Sequence, residues 1–121
     1  MRERLVKQEP GRADYLRDLS VSYNRMGDLE SARGEGERAR QFYEKSLEMR
    51  ERLVKQEPGR ADYRVDLAKS LARMGDPASL RRAFDILTRM KESNRLMPED
   101  APVLDAVRGM LQRAGAAGAG D

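Results

Sequence analysis

The sequence contains a long internal repeat. Residues 1–15 and residues 49–63 read the same fifteen letters, MRERLVKQEPGRADY. Weaker identity continues at the same offset of 48, and the four letters RMGD recur at 25–28 and 73–76. Fifteen consecutive matches do not arise by chance, so the segment has been duplicated. A repeat of this length predicts a solenoid, in which each unit buries its apolar face against the next unit.

Within one period the apolar residues recur every three or four positions, which is the spacing of one helix face. The first such run begins near Arg12 and ends before Gly34, and the second ends before Pro58 and Gly59. Pro58 disfavours α geometry in the residue before it, and Gly59 accepts a tight turn. Each unit is therefore predicted to be a hairpin of two antiparallel helices with short connections.

The second copy departs from the first after Asp76. Pro77 follows at once, and it suits the first turn of a new helix for which Asp76 is the predicted N-cap. The second hairpin is therefore expected to be about one helical turn shorter than the first. A last helix is predicted near residues 99–114, and the Gly/Ala-rich residues 115–121 are predicted to form a flexible tail.

Composition limits the chemistry that this chain can perform. It contains no Cys, no His and no Trp. Without Cys it lacks a disulfide framework, a thiolate metal site and a cysteine nucleophile, and without His it lacks the commonest metal ligand and general base. Gly34 and Gly36 lack the lysine and the preceding strand of a phosphate-binding loop. We therefore expect no enzyme activity, no cofactor and no metal site.

The charge pattern argues against nucleic acid as a partner. Lys and Arg number 24 against 21 Asp and Glu, and acidic residues alternate with basic ones along the chain. No basic stripe stands out, although the sequence pI is ≈ 9.4. No apolar run is long enough to span a membrane, and the first residues do not look like a signal peptide. These features favour a cytoplasmic protein that binds neither nucleic acid nor a membrane.

Taken together, the repeat and its residues resemble the tetratricopeptide repeat family. That family has a helical hairpin with a large residue, a Leu-Gly pair, a loop glycine, a small residue, an aromatic, a second small residue and a terminal proline. The corresponding residues here are Tyr23, Met26, Gly27, Gly34, Ala39, Tyr43, Ser46 and Pro58. The period of 48 residues exceeds the usual ~34. It is similar to the long-helix variant that is related to kinesin light-chain repeats and common in bacterial proteins.

The resemblance implies an all-α fold, a right-handed α-solenoid of stacked antiparallel helical hairpins. It divides residues 1–114 into a partial helix of a preceding repeat (1–10), repeat 1 (11–58), a shortened repeat 2 (59–96) and a capping helix (97–114). The chain would then be a fragment of a longer array, or it would begin with a truncated half-helix. We expect a sealed C-terminal end and an open N-terminal end, with Leu5 and Val6 near the open end.

The resemblance also implies a non-catalytic scaffold that binds a partner segment on the concave face formed by the first helix of each hairpin. The residues on that face would be Val21, Asn24, Arg25, Asp28, Lys69, Ala72, Arg73 and Asp76. Lys69 and Arg73 lie four residues apart and could together hold a partner carboxylate. In the alternative interpretation Arg73 pairs with Asp66 or Asp76, and Lys69 is merely solvated.

Self-association is the rival interpretation. Because residues 1–15 duplicate residues 49–63, two chains could stack end to end or pair their open ends about a two-fold axis, with Leu5 and Val6 in the interface. A monomer in which Leu5 and Val6 fold back locally is the remaining alternative. Met26 and Met74 are predicted to pack in the core rather than to form a binding surface.

Overall fold

A computed structural model describes the backbone of residues 10–119 and the side chains of residues 12–115. These residues form five α-helices and no strand. The helices are α1 (Pro10–Ala32), α2 (Gly36–Gln56), α3 (Ala61–Met74), α4 (Pro77–Glu92) and α5 (Ala101–Ala119), and a short 3-10 helix (Pro98–Asp100) precedes α5. The chain divides into two compact units, with the boundary between Gly59 and Arg60.

The first unit is an antiparallel hairpin of α1 and α2, as predicted. The hydroxyl of Tyr43 donates a hydrogen bond to the carboxylate of Asp28 at 2.7 Å. Farther from the turn, Nε of Arg50 donates to the hydroxyl of Ser20 at 3.0 Å. Residue numbers therefore rise along α2 as they fall along α1, which is the pattern of antiparallel neighbours.

The turn between α1 and α2 is closed by backbone hydrogen bonds. Gly34 has a φ of +79°, a left-handed conformation that glycine adopts without strain. Its N–H donates to the carbonyl of Ser31 at 3.0 Å, and the N–H of Glu35 donates to the carbonyl of Glu30 at 2.9 Å. These two bonds form a Schellman motif, which ends α1 just before Gly34.

The interface of the first hairpin is made largely of small and polar residues. Its buried side chains include Ala13, Ser20, Asn24, Ala39, Ser46, Arg50 and Leu53. Gly27 is buried where α1 meets the ring of Tyr43, and a Cβ atom at this position would overlap that ring. The two helices therefore approach closely because a glycine occupies position 27.

The second unit has a larger apolar core. α3 packs against α4, and α4 packs against α5. Eleven apolar residues on these helices are buried. They are Tyr63, Val65, Leu67, Ala68, Leu71, Leu80, Ala83, Leu87, Met90, Leu104 and Val107. The side chain of Asp76 accepts a hydrogen bond from the N–H of Ser79 at 3.1 Å, so the predicted N-cap of α4 is confirmed.

Three features differ from the sequence-based expectations or lie beyond them. Met26 is 44% exposed, so it is a surface residue and not part of the core. The last helix continues to Ala119, past the end predicted at residue 114 and into the segment predicted to be a flexible tail. Alanine has the highest helix propensity of all residues, which favours this continuation. Leu5 and Val6 lie outside the described residues.

No helix within residues 10–119 is both long enough and apolar enough to cross a membrane.

Candidate functional site

The predicted partner-binding residues occupy four equivalent positions in the two repeats, because each residue of the first set has its counterpart 48 positions later. At two of these positions the residues are identical. Arg25 corresponds to Arg73, and Asp28 corresponds to Asp76; all four are exposed. Each repeat therefore presents an Arg and an Asp, three residues apart, in or just after its first helix.

The other two positions differ between the repeats. Val21 and Lys69 are equivalent, and both are half-buried. Asn24 is only 4% exposed, whereas its counterpart Ala72 is half-buried. Oδ1 of Asn24 has no hydrogen-bond partner within the described part of the chain. The structure thus places Asn24 on the buried side of α1, away from the surface on which Arg25 lies.

Both exposed aspartates already have structural roles. Asp28 accepts the hydrogen bond from the Tyr43 hydroxyl, which ties α1 to α2. Asp76 caps the N-terminus of α4. The carboxylates of Asp28 and Asp76 are therefore held in place. The nearby basic residues, Arg25 and Arg73, are the groups best suited to bind a partner carboxylate.

Among the predicted partner-binding residues, Lys69 and Arg73 are the two basic side chains that could act as a pair. They lie four residues apart in α3, so about 6 Å of helix rise separates them and both face the same side. At the equivalent positions in α1, Val21 replaces the lysine, and only Arg25 remains. A basic pair is therefore present in the second repeat, while the first repeat contributes a single basic residue.

A second exposed surface, on α1, was not identified from the sequence. Tyr15 is 63% exposed, Met26 44% and Leu29 55%. Their spacings of eleven and three residues place them along one face of the helix. Tyr15 is the counterpart of Tyr63, which is 2% exposed. The duplication shows that the two tyrosines are equivalent, but only the structure shows that their surroundings differ.

Clusters of acidic side chains that could hold a metal ion are absent from the described residues. Several charged groups form exposed ion pairs within one helix, such as Arg40 with Glu44 and Arg52 with Glu48. Such exposed pairs contribute little to stability and leave the surface open to a partner.

Comparison with known proteins gives one match. A model of the tetratricopeptide repeat family matches residues 18–85, which is more than half of the chain. The matched range begins in α1, ends within α4 and contains all eight of the predicted partner-binding residues. A search of curated proteins and a search of solved structures each returned no match.

Proposed function

Because the chain belongs to the tetratricopeptide repeat family, we propose that it is a non-catalytic scaffold that binds a partner protein through the first helix of each hairpin. Repeats of this family generally mediate protein–protein interaction and typically have no catalytic activity. The partner would be a protein or peptide segment, and its contacts would be made by exposed side chains of α1 and α3.

The observation that best supports this proposal is the basic pair on α3. Lys69 and Arg73 lie on one side of the helix, and Arg73 is exposed. Two cations one helical turn apart can hold a carboxylate more firmly than either alone, and arginine can bind it with two parallel hydrogen bonds. Arg25 on α1 provides a further cation at the equivalent position. Asn24 is left out of the proposed contact because it is buried.

A charge-reversal variant tests the proposal. Replacing both basic residues, in the double variant Lys69→Glu and Arg73→Glu, should abolish capture of the partner while leaving helical content unchanged. The control is the double variant Arg81→Glu and Lys91→Glu, which makes the same change in net charge at two exposed positions of α4. Undiminished capture by the α3 variant, or equal loss in both variants, would exclude the proposed contact.

The exposed surface of α1 favours self-association as a second function. Tyr15 and Tyr63 stand at equivalent positions, but only Tyr63 is buried. The guanidinium of Arg60 lies over the ring of Tyr63, 4.0 Å from its centroid, whereas the side chain of Tyr15 is exposed to solvent. An exposed row of Tyr15, Met26 and Leu29 could bury its apolar area against a second copy of the chain. The predicted participation of Leu5 and Val6 in this interface stays a prediction.

The mass of the protein in solution tests this second function. If copies associate through α1, the double variant Tyr15→Asp and Leu29→Asp should lower the mass measured by light scattering at high concentration. Gln41→Asp, at an exposed position of α2, is the control for added charge. A monomer at every concentration would exclude self-association.

A cytoplasmic location, a bacterial source and the long-helix variant of the family stay predictions from the sequence.

A further inference from the structure

The second unit contains a pocket that neither the sequence nor the family match singled out. It lies where α3 meets the C-terminal half of α4 and the turn that follows, and its volume is about 450 Å³. Four arginines line it: Arg64 from α3, Arg82 and Arg89 from α4, and Arg95 from the turn. Asp85 is the one acidic residue among the lining side chains.

The pocket has an excess of positive charge. Four guanidinium groups and one carboxylate line it, and Arg64 and Arg82 each already interact with another residue. Within residues 12–115, neither Arg89 nor Arg95 forms an ion pair. The charges of at least two arginines are thus available to a ligand.

The turn after α4 fixes Arg95 at the pocket. Asn94 has a φ of +58°, a left-handed conformation that asparagine tolerates better than most residues. Its N–H donates to the carbonyl of Lys91 at 3.1 Å, and the N–H of Arg95 donates to the carbonyl of Met90 at 2.7 Å. These bonds form a Schellman motif. The backbone of Arg95 is therefore held against the last turn of α4.

The same turn reduces the repulsion that an anion would meet at this helix end. A helix C-terminus carries partial negative charge on its unpaired carbonyls. Here the carbonyl of Arg89 accepts from the hydroxyl of Ser93 at 2.9 Å, and the carbonyl of Met90 accepts from the N–H of Arg95. Two carbonyls beside the pocket are thus already paired.

We propose that this pocket binds an acidic segment of a partner protein, whose carboxylates contact Arg89 and Arg95. Guanidinium groups match carboxylates in shape and can bind them with two hydrogen bonds. The half-buried Ile86 and the buried Met90 add apolar surface for a neighbouring side chain of the same segment. A volume of about 450 Å³ falls within the range of ligand pockets, ~300–1,000 Å³.

A peptide fits these features better than a nucleic acid does. The pocket groups its arginines around one small depression, whereas a nucleic-acid backbone requires a run of cations along a surface. Alternating acidic and basic residues elsewhere on the chain provide no such run. The pocket is separate from Lys69 and Arg73, so the charge-reversal variant at those two residues tests a different contact.

Binding of synthetic peptides to the full chain tests the proposal. The probe is a fluorescent peptide with glutamates on both sides of one leucine, and the same peptide with glutamines is its control. We expect the double variant Arg89→Glu and Arg95→Glu to bind the acidic probe about tenfold more weakly or worse, because two charge-assisted contacts are reversed. The variant Arg81→Glu and Lys91→Glu, with the same net charge at exposed positions on α4 that do not line the pocket, should bind like the original chain.

Several results would overturn the proposal. Equal weakening in both double variants would mean that the probe follows net charge and not the pocket. Equal binding of the glutamine peptide would mean that carboxylates are not recognised. No binding of the acidic probe, or stronger binding of a single-stranded oligonucleotide that depends on Arg89 and Arg95, would also refute it. Circular dichroism of both variants confirms that each is folded before binding is compared.

Discussion

At the scale of single residues, the two copies of the RMGD segment show how one neighbour changes the structure of identical residues. Gly27 lies inside α1, while Gly75 has a φ of +79° and ends α3. In the second copy Pro77 follows Asp76 and disfavours α geometry there, and Asp76 is extended with a ψ of 154°. In the first copy Leu29 follows Asp28, so the helix continues.

Gly27 should be intolerant of even the smallest side chain. A Cβ at this position overlaps the ring of Tyr43, whose hydroxyl is held by Asp28. We expect Gly27→Ala to lower the free energy of unfolding by about 1–3 kcal/mol, measured by urea denaturation. Gly36→Ala is the matched control, since nothing lies within 4 Å of a Cβ at that position. A loss no larger at position 27 than at position 36 would show that the contact with Tyr43 is not tight.

Ser20 should stabilise the buried Arg50. Its hydroxyl accepts a hydrogen bond from Nε of Arg50 and donates to the carbonyl of Arg17 at 2.6 Å. Ser20→Ala removes an acceptor from a charged group that is 4% exposed. The expected cost in free energy of unfolding is about 1–3 kcal/mol. The exposed Ser22→Ala is the control; equal stability of the two variants would contradict this role.

At the scale of helices, α4 depends on its N-cap. The side chain of Asp76 satisfies the N–H of Ser79, one of the first donors of the helix that have no partner within it. We expect Asp76→Ala to lower the melting temperature, with a cost of about 1 kcal/mol in the free energy of unfolding. Asp85→Ala, on the exposed face of α4, should have little effect. The cap would be unimportant if both variants melted together with the original chain.

Local signals made some helix boundaries predictable from the sequence. Gly34 and Pro58 mark the ends of α1 and α2, and Asp76 with Pro77 marks the start of α4. The end of α5 was not predictable, because the alanines of the Gly/Ala segment favour a helix while its glycines disfavour one. Helix boundaries could therefore be predicted from the sequence where a residue restricts the conformation of the backbone.

The surfaces were less predictable than the helices. The fourteen residues before Tyr15 are identical to those before Tyr63, yet Tyr15 is exposed and Tyr63 is buried. The family resemblance placed Asn24 with Arg25 on the binding face of α1, but the structure shows that Asn24 is buried. The arginine pocket combines residues from α3, α4 and the turn after α4. Each of these features depends on contacts between helices, which the spacing of one helix does not contain.

At the scale of the whole molecule, the chain consists of two helical units with different interiors. The first hairpin is joined by small residues and buried polar groups, whereas the second unit has an apolar core. Their equivalent positions 25 and 73 are both exposed arginines. In the proposed scaffold, the helices would supply rigidity and the exposed side chains of α1 and α3 would select the partner.

Site-specific photo-crosslinking tests the central proposal, binding of a partner through α3, most directly. A photoreactive amino acid replaces Ala72, which lies between Lys69 and Arg73, and a second protein carries it at the exposed Gln41 of α2 as the control. We predict one discrete crosslinked partner at position 72 in lysate of the source organism, absent at position 41 and lost in the variant with Lys69→Glu and Arg73→Glu. The same products at both positions, or only crosslinks between copies of the chain, would contradict partner binding by α3.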